Sequence, residues 1–462
     1  MTHDEDEVEP TDGGSSRRSR SSLPVGAFTR GARLAALPVG FAGRTALGVG
    51  RRIGGAPADA VVTEVQRRTA EQVFTVLGQL KGGAMKVGQA MSIFEAALPE
   101  EIAAPYRETL TKLQDAAPPM PVAVVHRQLV AELGEDWRER LVEIGDQPAA
   151  AASIGQVHRG RWHDGREVAV KIQYPGAAKA LRSDLRQLSR ISRLLGVLAP
   201  GIDVKALLAE LEERVVEELD YRLEATAQQR FHEEYRDDPD LMVPAVVDGT
   251  ERVLVSEWME STSSLAELIR SGSQADRDLY GSRYVRFLLA SPDRVGMLHA
   301  DPHPGNFRIL PDRRLGIVDF GAVAHLPDGL PRALGPLLTA AVSGDAEAVT
   351  DGLRGEGFLR PGTKIDPEVM AAYVAPFVEP AVAEEFTFSR AWLRDQATRV
   401  GLGGEGMSTS LKINLPPEYL LIHRVWIGGV GVLCQLGATA PFRSILEESV
   451  PGFVPSSWAP PE

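Results

Sequence analysis

The spacing of hydrophobic residues changes from a helical period to a strand period along the chain. Between about residues 64 and 114 the apolar positions recur at helical intervals, with breaks at Gly82, Gly83 and Pro99, and they include Val73, Leu77, Leu80, Met85 and Met91. The proline-containing stretch LQDAAPPMP (113–121) is typical of a linker, and VAVVHRQLVAEL after it has a helical pattern again. We therefore predict a helical N-terminal unit joined by a linker to the rest of the chain.

A strand pattern follows in GREVAVKIQYP, where hydrophobic residues occupy every second position. One face of this predicted strand carries Val168, Val170 and Ile172, and Lys171 lies on the opposite face. A strand lysine is usually a solvated side chain, so Lys171 indicates a functional site only if the sequence also supplies partners for it.

Two later segments offer such partners. The acidic segment ELEERVVEELDYRLEATAQQRF is predicted to be one helix on which Glu217, Asp220 and Glu224 share a face, while Glu218 lies to one side. The segment ERVLVSEWMEST is predicted to be a short apolar strand that continues into residues 257–260. This strand is either an ordinary edge strand or the hinge that joins two kinase lobes and offers backbone groups to adenine.

The stretch LHADPHPGNFRIL (298–310) places polar and structure-breaking residues between hydrophobic runs. His299, Asp301 and His303 alternate as in a metal site, but an imidazole zinc site normally needs three protein ligands and the chain has no other paired histidines. Protein kinases carry H-R-D-x-x-x-x-N, and His299, Asp301 and Asn306 have that spacing. A D-F-G motif follows at Asp319, which completes an oxygen-rich set suited to magnesium. We therefore predict a phosphoryl-transfer loop.

The kinase pattern extends upstream to a candidate phosphate-binding loop. In kinases G-x-G-x-x-G-x-V leads to a strand lysine that holds the phosphates and pairs with a helix glutamate. On AAASIGQVHRG this template places Ala150, Ala152, Gly155 and Val157 at its fixed positions, so alanine replaces the first two glycines. Lys171 is then the predicted phosphate-binding lysine, and helical geometry alone leaves open which acidic residue meets it.

Composition and charge narrow the class of protein. A chain of 462 residues is long enough for two or three packed units, and its net charge of -13 argues against general nucleic-acid binding. Cys434 is the only cysteine, which excludes a disulfide framework and a thiolate zinc cluster. We predict that Cys434 is a small buried apolar residue and that the protein occupies a reducing compartment.

No segment is a convincing transmembrane helix. The best one, VWIGGVGVLCQLGATAPF from Val425, contains several glycines and Gln435 and is better explained as a packed core helix. The first residues lack the apolar stretch of a secretory signal and are predicted to be disordered. Residues 28–55 combine several arginines with small apolar residues, so they either lie on an anionic membrane surface or form a connecting helix packed on the protein.

Taken together, these motifs resemble those of the ABC1 family of atypical kinases, also called the AarF or UbiB group. The resemblance covers roughly residues 70–440 and rests on KVGQ (86–89), LQDAAPP, AAAASIGQVH, VAVKIQYPG, ELDYRLEA, HADPHPGN and VDFG, in the family's order. It implies an α+β, bilobal protein-kinase-like fold with a small β-containing N-lobe, a mainly helical C-lobe and a helical N-terminal extension over the active site. The implied divisions are a disordered tail (1–23), the extension with its KxGQ motif (24–120), the N-lobe (121–258), the C-lobe (259–450) and a C-terminal tail (451–462).

The resemblance also implies roles for individual residues. The implied catalytic set, with Asp301 as the catalytic aspartate, is Asp301, Lys171, Lys86, Gln89, Glu218, Asp220 and Glu224. Within it, Glu224 would pair with Lys171, and Lys86 would contact Glu218 or Asp220. The implied cofactors are ATP and Mg²⁺, with the metal held by Asn306 and Asp319. The residues implied to contact ATP are Ala150, Ala151, Ala152, Ser153, Ile154, Gly155, Val157, Ala169, Lys171, Glu257 and Met259.

The family is associated with isoprenoid-quinone biosynthesis and lipid homeostasis, and its activity resembles ATP hydrolysis or self-phosphorylation more than ordinary protein phosphorylation. The implied partners are a nucleotide, a membrane lipid or quinone precursor, and lipid-biosynthesis proteins, with no nucleic acid. This chain departs from many members in lacking C-terminal transmembrane spans, so we expect a cytoplasmic protein that contacts the inner face of the membrane peripherally. Two alternatives stay open: a small-molecule phosphotransferase of the aminoglycoside- or choline-kinase type, and a nucleotide-gated, non-catalytic lipid-binding or scaffold protein.

Overall fold

The computed structural model describes residues 119–152, 154–178, 219–359, 362–400 and 412–454. The predictions for the N-terminal tail and for most of the extension, including Lys86 and Gln89, lie outside the described residues. The same holds for Ser153, Glu217, Glu218 and most of the C-terminal tail. The described residues form an α+β fold with a sheet-containing small lobe and a mainly helical large lobe.

The small lobe contains one antiparallel sheet and the helices that cover it. Its strands are β1 (Leu141–Ile144), β2 (Ala150–Ala152), β3 (Gly155–Trp162), β4 (Glu167–Gln173), β6 (Val246–Gly249) and β7 (Val253–Glu257). The strand order is β1-β3-β4-β7-β6, and β2 pairs only with β3. The small lobe's helices are α1 (Val122–Leu133), α2 (Trp137–Arg140) and α3 (Tyr221–Tyr235).

The core face of β4 carries Val168, Val170 and Ile172, all fully buried. They pack against α1 and α2, where Leu129 and Trp137 are the largest buried side chains of the contact. Burial of this alternating face confirms the strand predicted from GREVAVKIQYP, and α1 confirms the helix predicted from VAVVHRQLVAEL. Because side chains alternate across a strand, Lys171 points to the other face of the sheet.

Helix α3 begins later than the sequence predicted. Asp220 was expected to share a helical face with Glu224, but its backbone is extended (φ -117°, ψ 96°) and the helix starts at Tyr221. The Asp220 carboxylate accepts a hydrogen bond from the backbone N–H of Arg222, so this residue acts as the N-cap. The prediction of one continuous helix is therefore wrong at Asp220, because a short acidic side chain satisfies the first free N–H groups better than a further turn would.

The large lobe combines short strands with longer helices. One sheet contains β5 (Leu241–Met242), β8 (Ser263–Ser264), β10 (Phe307–Ile309) and β11 (Leu315–Ile317), in the order β5-β11-β10-β8. Two further sheets have two strands each. In the first, β9 (Met297–His299) pairs with β12 (Val323–His325), and in the second, β13 (Phe386–Thr387) pairs with β14 (Thr439–Ala440). The helices are α4 (Leu265–Ser271), α5 (Gln274–Val295), α6 (Leu334–Val342), α7 (Ala346–Gly355), α8 (Pro367–Val382), α9 (Arg390–Val400), α10 (Pro417–Leu436) and α11 (Phe442–Ser449).

Helix α5 precedes the candidate site in the chain. It starts at a Ser273 cap and ends at Gly296, whose left-handed conformation (φ 70°) suits a residue without a Cβ. The chain then enters β9, which leads directly into the HADPHPGN segment. Buried aromatic side chains of α3 and α5, among them Phe231, Tyr284 and Phe287, form the core behind this segment.

Helix α10 contains a long apolar stretch. Residues Glu418–Leu436 are long and apolar enough to cross a membrane by length and composition, and half of that window is buried inside the protein. Val425, Val432 and Leu433 of this helix belong to the large-lobe core, and Cys434 is 2% exposed. The burial confirms the prediction for Cys434 and raises the pKa of its thiol to about 12.

Candidate active site

The centre of the site is Lys171 on β4. Its Nζ atom donates to both carboxylate oxygens of Glu224, at 2.6 and 2.9 Å, and to Oδ1 of Asp319 at 3.1 Å. The side chains of Lys171 and Glu224 are only 12% and 5% exposed. One ammonium therefore joins a small-lobe strand, the first turn of α3 and the D-F-G segment.

Burial and charge act on Lys171 in opposite directions. Burial lowers the pKa of the ammonium, but the carboxylates of Asp319 and Glu224 outweigh it and hold the pKa well above its usual value. The Tyr221 ring adds a further contact, with its centroid 5.1 Å from Nζ. A buried charge with such specific partners is typical of a functional site.

The D-F-G segment brings its aspartate to Lys171 through an uncommon backbone conformation. Asp319 has a positive φ of 65°, a region that L-residues seldom adopt because Cβ crowds the backbone. Two residues on, a Cβ on Gly321 would lie 3.3 Å from both Oδ1 of Asp319 and Oε2 of Glu224. The glycine therefore leaves room for two carboxylates beside one ammonium.

Hydrogen bonds within the HADPHPGN segment fix its shape. The amide nitrogen of Asn306 donates to the backbone carbonyl of Asp301 at 3.3 Å, and Nδ1 of His303 accepts from the N–H of Gly305 at 3.1 Å. The N–H of His303 lies 3.4 Å from Oδ1 of Asp301. His303 therefore shapes the loop, a role that the sequence left open.

Two side chains from distant helices hold the same segment from outside. The hydroxyl of Tyr284 on α5 donates to the carbonyl of Pro302 at 2.7 Å, and Arg424 on α10 donates to the carbonyl of Ala300 at 3.0 Å. Sequence reasoning missed both residues. The available signals were a tyrosine in the charged helix α5 and an arginine in the largely apolar helix α10.

His299 lies in an aromatic column rather than at a solvent-facing site. Its ring is fully buried, with centroids 5.2 Å from Phe320, 5.8 Å from Phe307 and 5.9 Å from Phe287. Burial lowers its pKa. Phe320 of D-F-G lies 4.8 Å from Phe231 on α3, so the column connects the loop to the helix that carries Glu224.

The alanine-rich segment forms a hairpin. Residues Ala150–Ala152 make up β2, which runs antiparallel to β3 with Ala150 opposite Val157 and Ala152 opposite Gly155. Ile154, just before β3, is 4% exposed, and Ser153 lies outside the described residues.

Gly155 is required for close packing beneath this hairpin. A Cβ there would lie 2.3 Å from the carbonyl oxygen of Ile172 and 2.9 Å from the hydroxyl of Tyr221. Ile154 and Tyr221 also share one small hydrophobic cluster. The third glycine of the kinase template is therefore retained where the backbone approaches most closely, whereas the positions of Ala150 and Ala152 accept a methyl group.

The hinge candidate follows β7. Ala169 of β4 lies opposite Ser256, and the N–H of Glu257 donates to the carbonyl of Ala245 at 2.9 Å. The thioether of Met259 rests on Gly316, where a Cβ would lie 2.2 Å from its Sδ atom. The structure thus brings Ala169 and Glu257 to the strand pair that contains Lys171 and places Met259 against β11.

The ligand atoms fit a magnesium ion that is bound partly by phosphates. Within the described residues no three His, Cys, Asp or Glu side chains cluster as a complete metal site. Asp319 offers a carboxylate. The amide nitrogen of Asn306 donates to the carbonyl of Asp301, which leaves the amide oxygen of Asn306 to serve as a metal ligand. Magnesium is commonly held by one or two carboxylates plus substrate phosphates, which this oxygen set would allow.

Comparisons with known proteins agree with this geometry. The sequence pattern of the ABC1 atypical kinase-like domain matches residues 112–353, just over half of the chain. The chain belongs to the ABC1 atypical kinase family. This result confirms the resemblance found from the motifs and the kinase-like α+β fold expected from it.

Curated relatives of this ABC1 protein include kinases of organelles. It is 29% identical over 359 residues to "Atypical kinase coq-8, mitochondrial" of Caenorhabditis elegans, covering 74% of this chain and 46% of the relative. It is 31% identical over 413 residues to "Protein ACTIVITY OF BC1 COMPLEX KINASE 3, chloroplastic" of Arabidopsis thaliana, covering 88% and 55%. The chain thus spans about half the length of these relatives.

A solved structure matches this chain over nearly the whole of its own length. The Rv3197–erythromycin complex from Mycobacterium tuberculosis is 44% identical, with a TM-score of 0.67, and the match covers 86% of this ABC1 protein and 99% of that chain. The match covers 86% of the chain, whereas the family domain at residues 112–353 covers just over half of it. The similarity therefore extends beyond the family domain.

Proposed function

We propose that this ABC1 protein binds MgATP between its two lobes and cleaves or transfers the terminal phosphoryl group. The observation that carries the proposal is the buried contact of Lys171 with Glu224 and Asp319. A buried ammonium held by two carboxylates costs desolvation energy, so its retention is better explained by a task than by stability. In kinases this arrangement holds nucleotide phosphates.

The kinase arrangement also suggests roles for the other polar residues of the site. Lys171 would hold the phosphates, with Glu224 fixing the position of its ammonium. Asp301 would accept or orient the proton of the attacking hydroxyl or water. Asn306 and Asp319 would hold magnesium, which when bound supplies positive charge that offsets the charge of the phosphates.

The nucleotide base would lie along the hinge. Glu257 ends β7 and Met259 follows it beside Gly316, which supports an adenine-binding role for the carbonyl of Glu257 and the backbone of Met259. The alanine hairpin would cover the phosphates in place of a glycine-rich loop. The residues proposed for this cover are Ala150, Ala151, Ala152, Ser153, Ile154, Gly155 and Val157.

The test is nucleotide turnover and MgATP-dependent thermal stabilisation of the purified full chain. We expect the parent protein to be stabilised by MgATP and to turn it over. Asp301→Asn should retain the stabilisation and lose turnover, because its carboxylate acts in the chemical step. A parent protein that MgATP does not stabilise would show that the proposal is wrong, and phosphate transfer to a soluble metabolite would favour the small-molecule phosphotransferase.

The physiological setting is proposed from the relatives. We propose a role in quinone or lipid metabolism at a membrane surface, supported by the family and by relatives named as coq-8 and COQ8B kinases. Turnover measured with and without anionic liposomes and quinone-like headgroup compounds tests this role. An increase with either addition supports it, and an unchanged rate contradicts it.

A second candidate is macrolide binding. It is favoured by the 44% identity to the protein solved as an erythromycin complex. Titration of the parent protein with erythromycin by calorimetry, with and without MgATP, tests it directly. Absence of binding heat in both titrations would exclude this candidate and leave the nucleotide proposal unchanged.

A further inference from the structure

A buried chain of hydrogen bonds crosses the small lobe behind the candidate active site. The N–H of Met120 donates to Oε1 of Gln156 at 2.8 Å, and the amide nitrogen of Gln156 lies 2.6 Å from Nε2 of His158. Nδ1 of His158 lies 2.6 Å from the carbonyl oxygen of Gly145. Gln156 is 1% exposed and His158 is fully buried, so each of these polar groups depends on the others for its partner.

The chain joins three separate segments. Met120 stands where the linker enters the small lobe, and Gly145 follows β1 in the loop that leads to the alanine strand. Gln156 and His158 lie on the core face of β3, while Val157 between them is opposite Lys171. Their side chains therefore support, from behind, the strand that would line the phosphate site.

These contacts are compatible with one protonation state. The Gly145 carbonyl can only accept, so Nδ1 of His158 carries a hydrogen. Oε1 of Gln156 accepts from Met120, so the amide NH₂ group faces His158 and donates to Nε2. Nε2 must then be unprotonated, and the imidazole is neutral.

Protonation would break this arrangement. A hydrogen on Nε2 would face the NH₂ group of Gln156, and the amide would have to rotate to offer its oxygen. The rotated NH₂ group would then face the N–H of Met120, so that contact would be lost. One proton on His158 thus affects both the end of the linker at Met120, here called the linker entry, and the hairpin of β2 and β3, here called the alanine hairpin.

The charges around His158 define the direction of the pH effect. Burial lowers its pKa, and His126 of α1 lowers it further, while the Gly145 carbonyl and Asp146 oppose them. The native protein therefore takes up this proton less readily than the unfolded chain, where the pKa is about 6.5. The neutral arrangement is fully stable above that pH and weakens as the pH falls below it.

We propose that Gln156 and His158 are positioning residues that hold the linker entry and the alanine hairpin in one arrangement while His158 is neutral, and release both when it is protonated. The release of the segments follows from the hydrogen bonds alone. Its consequence for nucleotide affinity rests on the proposed function, because the hairpin is the proposed cover of the phosphates.

The direct test is amide hydrogen exchange of the full chain, because it does not require nucleotide. At pH 7.5 we expect Gln156→Met to raise exchange at Met120 and in residues 145–152 at least tenfold, with cooperative melting retained. The parent protein should lose protection in the same peptides between pH 7.5 and 5.5, after correction for intrinsic exchange. The control His163→Asn, which changes an exposed histidine at the end of β3, should behave as the parent does.

In a second variant, protection from amide exchange should change with pH in the opposite direction. In Gln156→Glu one carboxylate can accept from both Met120 and a protonated His158, so protection should be kept at pH 5.5 and fall as the pH rises. Unchanged exchange in Gln156→Met, or the same pH direction in Gln156→Glu as in the parent, would overturn the proposal.

Nucleotide affinity of the same proteins separates the two proposals. We expect Gln156→Met to weaken MgATP binding at least threefold at pH 7.5. Raised exchange with unchanged affinity would overturn the link to the nucleotide. A parent that binds no MgATP would overturn the proposed function, while the exchange results would still decide the role of Gln156 and His158.

Discussion

Lys171 contacts two carboxylates, of which that of Glu224 is buried and that of Asp319 is partly exposed. We predict that Lys171→Met lowers the free energy of unfolding by about 3–5 kcal/mol, because it removes the positive charge that Glu224, a buried carboxylate, contacts. Urea denaturation measures the change. MgATP should no longer stabilise the variant.

The control is Lys364→Met, which removes an exposed lysine and should change stability by no more than about 0.5 kcal/mol. The double variant Lys171→Met with Glu224→Gln should recover part of the loss, since contacting charges couple. Strictly additive effects would contradict the contact between these two residues.

Gly321 offers a test of the space around the same carboxylates. We predict that Gly321→Ala weakens MgATP binding about tenfold or more, because its Cβ would press on Asp319 and Glu224 at 3.3 Å. Gly355→Ala is the matched control, since a Cβ at that position meets nothing within 4 Å. Equal MgATP affinities of the two variants, measured with a fluorescent nucleotide, would count against the metal role of Asp319.

At the scale of elements, helix α3 positions Glu224 through its first turn and packs Phe231 against Phe320 further along. We predict that Asp220→Ala destabilises the protein by about 1 kcal/mol, while Asp220→Asn costs much less, because asparagine also caps helices. Thermal or urea unfolding at pH 7 measures both. A loss in Asp220→Asn as large as in Asp220→Ala would mean that the charge, and not the cap, is what matters.

The capping carboxylate also has a defined pH dependence. The hydrogen bond from the Arg222 side chain lowers the pKa of Asp220 below the model-peptide value of 3.8. Its contribution is therefore complete above that pH and is lost as the pH falls through the lower native pKa. In Asp220→Asn this part of the acid destabilisation should be absent.

Several elements were predictable from the sequence because their signals are local. The alternation of Val168, Val170 and Ile172 gave β4, and the spacing of His299 and Asp301 gave the loop after β9. The start of α3 was missed because Asp220 can either continue the helix or cap it. The free energies of these two conformations differ by only about 1 kcal/mol. The short strands of the large lobe carried no periodic pattern.

At the scale of the whole molecule, the proposed catalytic loop depends on a helix more than a hundred residues away in sequence. Arg424 on α10 donates to Ala300, one residue before Asp301. We predict that Arg424→Met lowers kcat by roughly 10- to 100-fold with MgATP affinity unchanged, because small displacements of a catalytic group cost such factors. Steady-state kinetics and nucleotide titration measure both quantities.

The control for this prediction is Glu418→Gln, an exposed residue in the first turn of α10 that should keep parental kinetics. Parental kcat in Arg424→Met would show that α10 does not position the loop. A parallel loss of MgATP affinity would instead indicate that the helix supports the fold of the whole cleft.

The sequence by itself determined the strand that carries Lys171, the spacing of Asp301 and Asn306, and the membership of Asp319 in a D-F-G motif. These features follow from steric and hydrogen-bonding rules that act over a few residues. Residue spacing left the partner of Lys171 open, and the tertiary structure shows that it is Glu224, as the family resemblance implied. Only the tertiary structure decided that Arg424 holds the loop and that Gln156 and His158 form a buried chain. Those contacts join segments far apart in sequence, so they depend on how elements pack and which polar groups are buried together, and no local pattern specifies that.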